Sequence, residues 1–469
     1  MGTTSYTVEK IPRPLPDDFL DVLRAQFGTA CSTNASVLQL HGADESPYTP
    51  IEPDAVIFAR SVDDVVWLAK YCHQHHIPLI ARGAGSSLEG QLLPVEGGIS
   101  LDMMGMNRIL KIHADDMQAT VEPGVTREAL NAQLHDTGLF FPVDPGADAS
   151  FGGMVATRAS GTNAVRYGTM RENVVNLKVV LADGRVINTG HRARKSSAGY
   201  DLTRLFVGSE GTLGIVVEVT VRLYPRPEEQ MSAICNFDTI DDAVRTVIDI
   251  VQMGIPMSRV ELMDVNTVRA VNQYSHLDMR VSPLLLMEFA GDPAVLQKQV
   301  ATVQEITQAH HGQDFDWAQG AENSDRLWEA RHKVYFAAIQ LRPGCRSIST
   351  DVCVPISRLA DCINDTAADL ESAPFPYIIV GHVGDGNFHV QMLLNHDDPT
   401  EWAACEQINQ RVVERAISMG GTCTGEHGVG LHKRDFLLME YGAETLQLMN
   451  EIKAVLDSRN ILNPGKILP

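Results

Sequence analysis

The stretch His382-Val383-Gly384-Asp385-Gly386-Asn387-Phe388-His389 restricts the fold of this chain more than any other. The apolar run Tyr377-Ile378-Ile379-Val380 precedes it and Val390-Gln391-Met392-Leu393-Leu394 follows, so two strands joined at Asp385-Gly386 are predicted. Asp-Gly suits a tight primed turn, which needs positive φ at both central positions. That turn sets the register: Gly384 opposite Asn387, Val383 opposite Phe388, and His382 opposite His389. Opposed Cβ atoms lie roughly 4.5–5.5 Å apart. Two imidazoles then meet on one face, as a divalent cation bound at about 2.0–2.1 Å from each nitrogen requires. A single strand histidine is ordinarily structural; the opposed pair is what points to a metal. Glu426-His427 is the place to look for a third ligand. The flanking Gly425, Gly428 and Gly430 permit a tight loop in which both side chains face one cavity, with Glu426 as ligand and His427 as free base.

A chain of 469 residues is too long for one ordinary core, so two or three domains are expected. A formal charge of −21 argues against a nucleic-acid partner, which clustered Lys and Arg would have to hold, and means that an anionic substrate needs a local basic anchor. The eight cysteines form no C-x-x-C pair, which speaks against a disulfide framework or a cysteine-ligated iron–sulfur cluster and for a reducing, cytoplasmic setting. Residues 1–10 are polar and lack a signal-like apolar segment. No stretch reaches the roughly 18 apolar residues of a spanning helix, which leaves room only for a peripheral contact with an inner membrane.

Along the chain, residues 1–45 read as an N-terminal arm with one helical pattern over 17–27. From Ala55 the pattern becomes strand, helix, strand: 55–59, then 63–75 capped by Ser61, then 78–81, a unit that implies a parallel pair. The second strand runs into Arg82-Gly83-Ala84-Gly85-Ser86-Ser87. The third glycine of a dinucleotide-binding fingerprint is absent, and Gly90 and Pro94 interrupt any following helix, so a Rossmann motif is rejected. Consecutive amides in such a turn still make an anion nest. Strands follow over 98–102 and 117–121, a helix over 127–135, and strands over 176–181, 185–188 and 217–223. Between them lie two further loops rich in glycine and small polar residues, 141–168 and 208–215. Three such loops in one mixed α/β region suit an extended, phosphate-bearing cofactor. Beyond Pro225 and Pro227, strands over 232–237, 258–262 and 284–289 alternate with helices over 241–253, 266–274 and 293–310. This region reads as an antiparallel sheet backed by helices, followed by a tail with helices over 401–419 and 443–458.

Arg82-Gly83-Ala84-Gly85-Ser86-Ser87, Pro145-Gly146 with Gly152-Gly153, and Gly208-Ser209-Glu210-Gly211-Thr212-Leu213-Gly214-Ile215 resemble the FAD-binding domain of the vanillyl-alcohol oxidase and p-cresol methylhydroxylase flavoproteins. The resemblance implies an α+β protein. It would have a two-subdomain FAD-binding domain over 46–226, an α+β cap with an antiparallel sheet over 227–425, and a helical C-terminal segment over 426–469 that returns to the flavin. It implies that the 82–87 loop cradles the pyrophosphate while Pro145, Gly146, Gly152, Gly153, Ser160, Asn163, Arg166, Glu210, Gly211, Ile215 and Asn463 serve the rest of the cofactor. Some relatives carry a histidine in the first loop that bonds to the flavin; Ser86 and Ser87 stand here, so noncovalent FAD is expected.

In the cap, residues 327–335 read as one helix that places Arg331 and Tyr335 on one face. A guanidinium grips a carboxylate through two parallel hydrogen bonds, which makes Arg331 the candidate anchor, although a lone arginine is more commonly a surface or salt-bridge residue. With Thr350-Asp351-Val352-Cys353-Val354-Pro355 and the Glu426-His427 loop, these motifs resemble the FAD- and metal-dependent D-lactate dehydrogenases. Glycolate oxidase flavin subunits and D-2-hydroxyglutarate dehydrogenases are nearby. The resemblance implies His382, His389 and Glu426 as ligands of Zn²⁺ or Mn²⁺, His427 as catalytic base, and Arg331 with Tyr335 at the substrate. The electron acceptor is left open among a quinone, a cytochrome, an electron-transfer flavoprotein and oxygen. Ser349 stands where the hydroxyglutarate enzymes usually place a lysine for a second carboxylate, so a monocarboxylate such as D-lactate is expected. A flavin subunit that needs partner chains, a zinc hydrolase and a noncatalytic flavin module are the competing readings. The hydrolase leaves the three glycine loops unexplained.

Overall fold

A computed structural model describes residues 6–318 and 321–469. Its first layer is a four-stranded sheet. The strands Ala55–Phe58 and Leu79–Arg82 both run parallel to Ile99–Asp102, which lies between them. The strand–helix–strand unit is thus present, but its two strands are not neighbours as a local reading implies. The later strand inserts between them, and nothing in the unit itself encodes that. The connecting helix Val62–His75 begins where Ser61 accepts from the Asp64 amide and Asp64 returns the contact, a reciprocal cap. It buries Val65, Leu68, Ala69 and Cys72 on the sheet, each large apolar side chain contributing about 1.5–3 kcal/mol. The N-terminal segment joins this layer: Phe19, Leu23 and Phe27 lie in the same core, and Cys31–Ser32 pairs with the strand Ala55–Phe58. Residues 1–5 of the expected arm lie outside the described residues.

The second sheet is antiparallel, in the order Ile109–His113, Gln118–Val121, Ile215–Arg222, Val174–Val180, Val186–Asn188. The helix Phe151–Thr157, capped by Ser150, crosses beneath it in a stretch that reads as a glycine loop. Gly152 and Gly153 occupy its first turn. A side chain at Gly152 would meet Pro123 at 2.7 Å, so backbone approach rather than looseness requires that glycine.

The third sheet is the α+β cap, antiparallel throughout, and it positions the site. Its order is Gln313–Ala318, Glu229–Asn236, Leu284–Gly291, Arg259–Met263, Tyr377–Gly381, Asn387–Leu394 and Arg346–Ser349, with Val352–Cys353 also paired to Asn387–Leu394. Side chains alternate across the sheet. Phe388, Val390, Met392 and Leu394, with Ile379, Val260 and Leu262, pack into the core under Ile240–Gln252, Leu359–Leu370 and Pro399–Ser418. Glu261, Val380, His389 and Gln391 occupy the other face. The period of two thus delivers a row of polar groups to one surface while its neighbours hold the core.

The hairpin differs from its expected register. Val380 pairs with His389 and Ile379 with Val390, two residues away from the expected pairing. The connection is a wider turn over 382–386, closed by the Asp385 amide on the His382 carbonyl at 3.0 Å. Gly386, at φ 82°, comes so close to Val354 that a Cβ would lie 2.1 Å from its carbonyl oxygen. A slip of two residues keeps every side chain on its own face, so His382 and His389 still meet, with ring centroids 5.5 Å apart.

Candidate active site

The two imidazoles point their Nε2 atoms at one carboxylate. His382 Nε2 lies 3.2 Å and His389 Nε2 3.3 Å from Glu426 Oε1. The opposite nitrogens fix which lone pairs face inward. His389 Nδ1 sits 3.0 Å from the Thr350 carbonyl and His382 Nδ1 2.6 Å from Glu261 Oε1. Both partners can only accept, so both Nδ1 atoms carry a proton, which leaves both Nε2 atoms to supply lone pairs when a cation lies between them and Glu426. Two such nitrogens and a carboxylate oxygen, all within 4.8 Å of one another, form a donor set that fits a divalent cation with room for a substrate oxygen. Burial opposes charge on His382 and Glu426. Even so, Glu261 and Glu426 hold His382 well above the ordinary imidazole range, and His382 and His389 hold Glu426 well below that of a carboxylate.

Glu426 and His427 are presented by a loop wrapped around Asp351, a residue 1 % exposed. Asp351 Oδ2 accepts from the amides of Glu426 at 3.0 Å and His427 at 2.8 Å and from the Thr424 hydroxyl at 2.8 Å, while Oδ1 accepts from Asn387. His427 stacks on His389, with centroids 5.2 Å apart and planes 9° from parallel. Its Nδ1 donates to Glu89 Oε1 at 3.2 Å. Burial disfavours the charged ring, but Asp351 and Glu89 outweigh it and the His427 pKa is raised.

Arg331 reaches the same group from the cap. Its Nε and Nη2 donate to Glu261 Oε2 at 2.9 and 2.6 Å, so Glu261 links the arginine to His382. Arg331 ends the helix Ala321–His332 and Tyr335 opens Val334–Gln340, with a break at Lys333. The single helix expected over 327–335 is therefore two. Both side chains nevertheless line one cavity of about 720 Å³.

That cavity runs to the glycine loops. Arg82, Gly83, Ala84, Gly85, Ser86, Ser87, Pro145, Gly146, Gly152, Gly153, Ser160, Glu210, Gly211, Ile215 and Asn463 all line it, together with His382, His389, Glu426 and His427. Asn163 and Arg166 do not. Asn163 ties Pro142 to Arg259, and Arg166 donates to Ser258 and to the Ala290 carbonyl, so both fasten the flavin-type domain to the cap. Gly146 and Gly211 each face open space where a side chain would stand. Asn463 spends its amide protons on the carbonyls of Gln91 and Glu210, and its buried Oδ1 has no partner among the described residues. Such a volume, lined by three glycine-rich loops and with one orphaned acceptor, fits an extended cofactor.

Glu261, Glu89 and Lys433 escaped the sequence reading. Glu261 carried one usable signal, a carboxylate set between Val260 and Leu262 within a strand. Glu210 has a second role beside lining the cavity, accepting from the Val429 and Gly430 amides at 2.6 and 2.9 Å. Burial, against those two amides, pushes its pKa up to about 7 from 4.5. A raised carboxyl stabilises the fold fully below its unfolded pKa and loses that contribution as pH rises to the folded value. Wild type should therefore lose about 3 kcal/mol relative to Glu210→Gln between pH 4.5 and pH 8. Denaturant unfolding of both proteins at the two pH values checks this.

Residues 226–467 match the family of FAD linked oxidases, C-terminal domain, and residues 53–190 match the FAD binding domain. The chain is 50% identical over 440 residues to the probable mitochondrial D-lactate dehydrogenase of Danio rerio, covering 93% of this chain and 88% of that one. It is 41% identical over 469 residues to the mitochondrial D-lactate dehydrogenase [cytochrome] of Arabidopsis thaliana, covering 100% of this chain and 83% of that one. In fold it is similar to p-cresol methylhydroxylase with substrate bound, at TM-score 0.80 and 19% identity, covering 97% of this chain and 98% of that one.

Proposed function

The chain belongs to the FAD-linked oxidases of the vanillyl-alcohol oxidase and p-cresol methylhydroxylase superfamily, and from that premise we propose that it oxidises D-lactate, or a similarly small D-2-hydroxy acid, to the 2-oxo acid. The observation that carries this reading is the convergence of His382, His389, Glu426 and His427 on the cavity that the three glycine loops also line. When bound, the flavin supplies a two-electron acceptor and the divalent cation, Zn²⁺ or Mn²⁺, a Lewis acid that lowers the hydroxyl pKa.

The chain's own residues do the remainder. Arg331, held flat by Glu261, directs its other N–H donors to the substrate carboxylate. His427 takes the hydroxyl proton at Nε2 as the α-hydrogen leaves with its electron pair. Gln391, Ser347, Ser349, Tyr335 and Phe336 supply a neutral wall, and among the described lining residues the guanidinium groups are Arg82, in the first loop, and Arg331. Ser349 offers a second substrate carboxylate a hydroxyl and no positive charge. Among the acceptors compatible with such a flavoprotein, a cytochrome is favoured by the name of the Arabidopsis relative. No described helix is long and apolar enough to cross a membrane.

Anaerobic addition of D-lactate should bleach the flavin of the metal-loaded protein, while L-lactate and D-2-hydroxyglutarate should do so far more slowly. Absence of bleaching with every D-2-hydroxy acid would sink the assignment.

A further inference from the structure

Glu89 lies in the segment after the first glycine loop, is 2 % exposed, and divides its oxygens among three donor side chains. Oε1 accepts from His427 Nδ1 at 3.2 Å and from Lys433 Nζ at 2.9 Å, and Oε2 accepts from His432 Nδ1 at 2.7 Å. His432 Nε2 in turn meets the Tyr6 hydroxyl at 3.2 Å. The main chain repeats the link. The Leu431 amide donates to the Glu89 carbonyl, the Glu89 amide to Gln91 Oε1, and Gln91 Nε2 to the His427 carbonyl, at 2.8, 2.9 and 2.8 Å. One buried carboxylate thus ties the first flavin-domain loop to the whole 427–433 segment.

We propose that Glu89 is the positioning residue of the base, fixing the His427 tautomer so that the Nε2 lone pair faces the cavity. The inference rests on His427 being that base. A carboxylate only accepts, so the nitrogen facing it carries the proton and the other is left to receive one. Without that partner the ring is free to place its proton on Nε2, where it blocks the reaction. Asp351 Oδ2 lies 4.0 Å from the same Nδ1 but is taken up by the amides of Glu426 and His427, so it holds the loop and not the ring. Lys433, itself 2 % exposed, balances the charge that makes Glu89 an acceptor.

A double-mutant cycle on the flavin- and metal-loaded enzyme tests this, using Glu89→Gln, His427→Gln and the pair. Glu89→Gln is expected to lower kcat on D-lactate by on the order of 10²-fold, with KM changed by less than about threefold, and to add nothing once His427 is gone. Turnover surviving in His427→Gln would overturn the base and with it this inference. Turnover lost in His427→Gln but kept in Glu89→Gln, or losses that simply multiply in the pair, would overturn the role of Glu89 alone. Glu89→Gln leaves the buried Lys433 with Asp351, at 3.4 Å, as its carboxylate partner, and the variant could fail to fold. ¹⁵N-histidine NMR of the wild-type holoenzyme reads the same claim directly, with the His427 signals identified by their loss in His427→Gln. A protonated Nδ1 and a bare Nε2 are expected, and the opposite tautomer would overturn the proposal.

Discussion

In His389→Ala, turnover of D-lactate is expected to fall by at least about 10³-fold, some 4 kcal/mol of transition-state stabilisation, while the protein stays folded and yellow. The separation of the two effects follows from the strand Asn387–Leu394. Phe388, Val390 and Met392 bury into the core on one face, and His389 points from the other into the cavity. Alanine keeps the ladder and the core. It removes one of two lone pairs aimed at the cation position and the ring on which His427 stacks. Steady-state rates, the flavin spectrum, metal content and thermal unfolding, measured together, separate these outcomes. Near-normal turnover, or loss of flavin and fold along with activity, would mean that the strand serves the core and not the chemistry.

His427→Gln is expected to lower kcat by about 10²–10⁴-fold, the usual contribution of a positioned base, with metal and flavin retained. Glutamine holds the volume and removes the proton acceptor. The wild-type pH profile carries the same signature. The reactive form is the neutral ring, and Asp351 and Glu89 raise its pKa against burial. Therefore kcat/KM should climb with pH along a limb lying above the ordinary imidazole value of about 6.5. That limb should vanish in the variant. A wild-type profile flat from pH 6 to pH 9 would argue that the proton goes elsewhere.

Local pattern carried much of this architecture. Ser61 marks the start of the helix Val62–His75, the three glycine loops line one cavity, and the alternation around His389 puts it opposite the core. The hairpin register was wrong by two residues, yet the site survived because that slip preserves faces. Other features depend on contacts that no local pattern records. Insertion of Ile99–Asp102 between two earlier strands is decided by packing of the finished sheet. Glu261 meets His382 across 121 positions and Glu89 meets His427 across 338, so each reads in isolation as an ordinary acidic residue. Arg331 shows the same limit from the other side: its place at the cavity was legible, but its clamp by Glu261 was not.

The central claim is that a divalent cation held by His382, His389 and Glu426 acts on the substrate beside the flavin. Stopped-flow reduction of the flavin by D-lactate tests it most directly, on protein stripped by a chelator, checked by elemental analysis, and then reloaded with Zn²⁺ or Mn²⁺. The account predicts that the stripped protein stays yellow through the reaction and that reloading restores rapid bleaching. Reduction at the full rate in verified metal-free protein would contradict it.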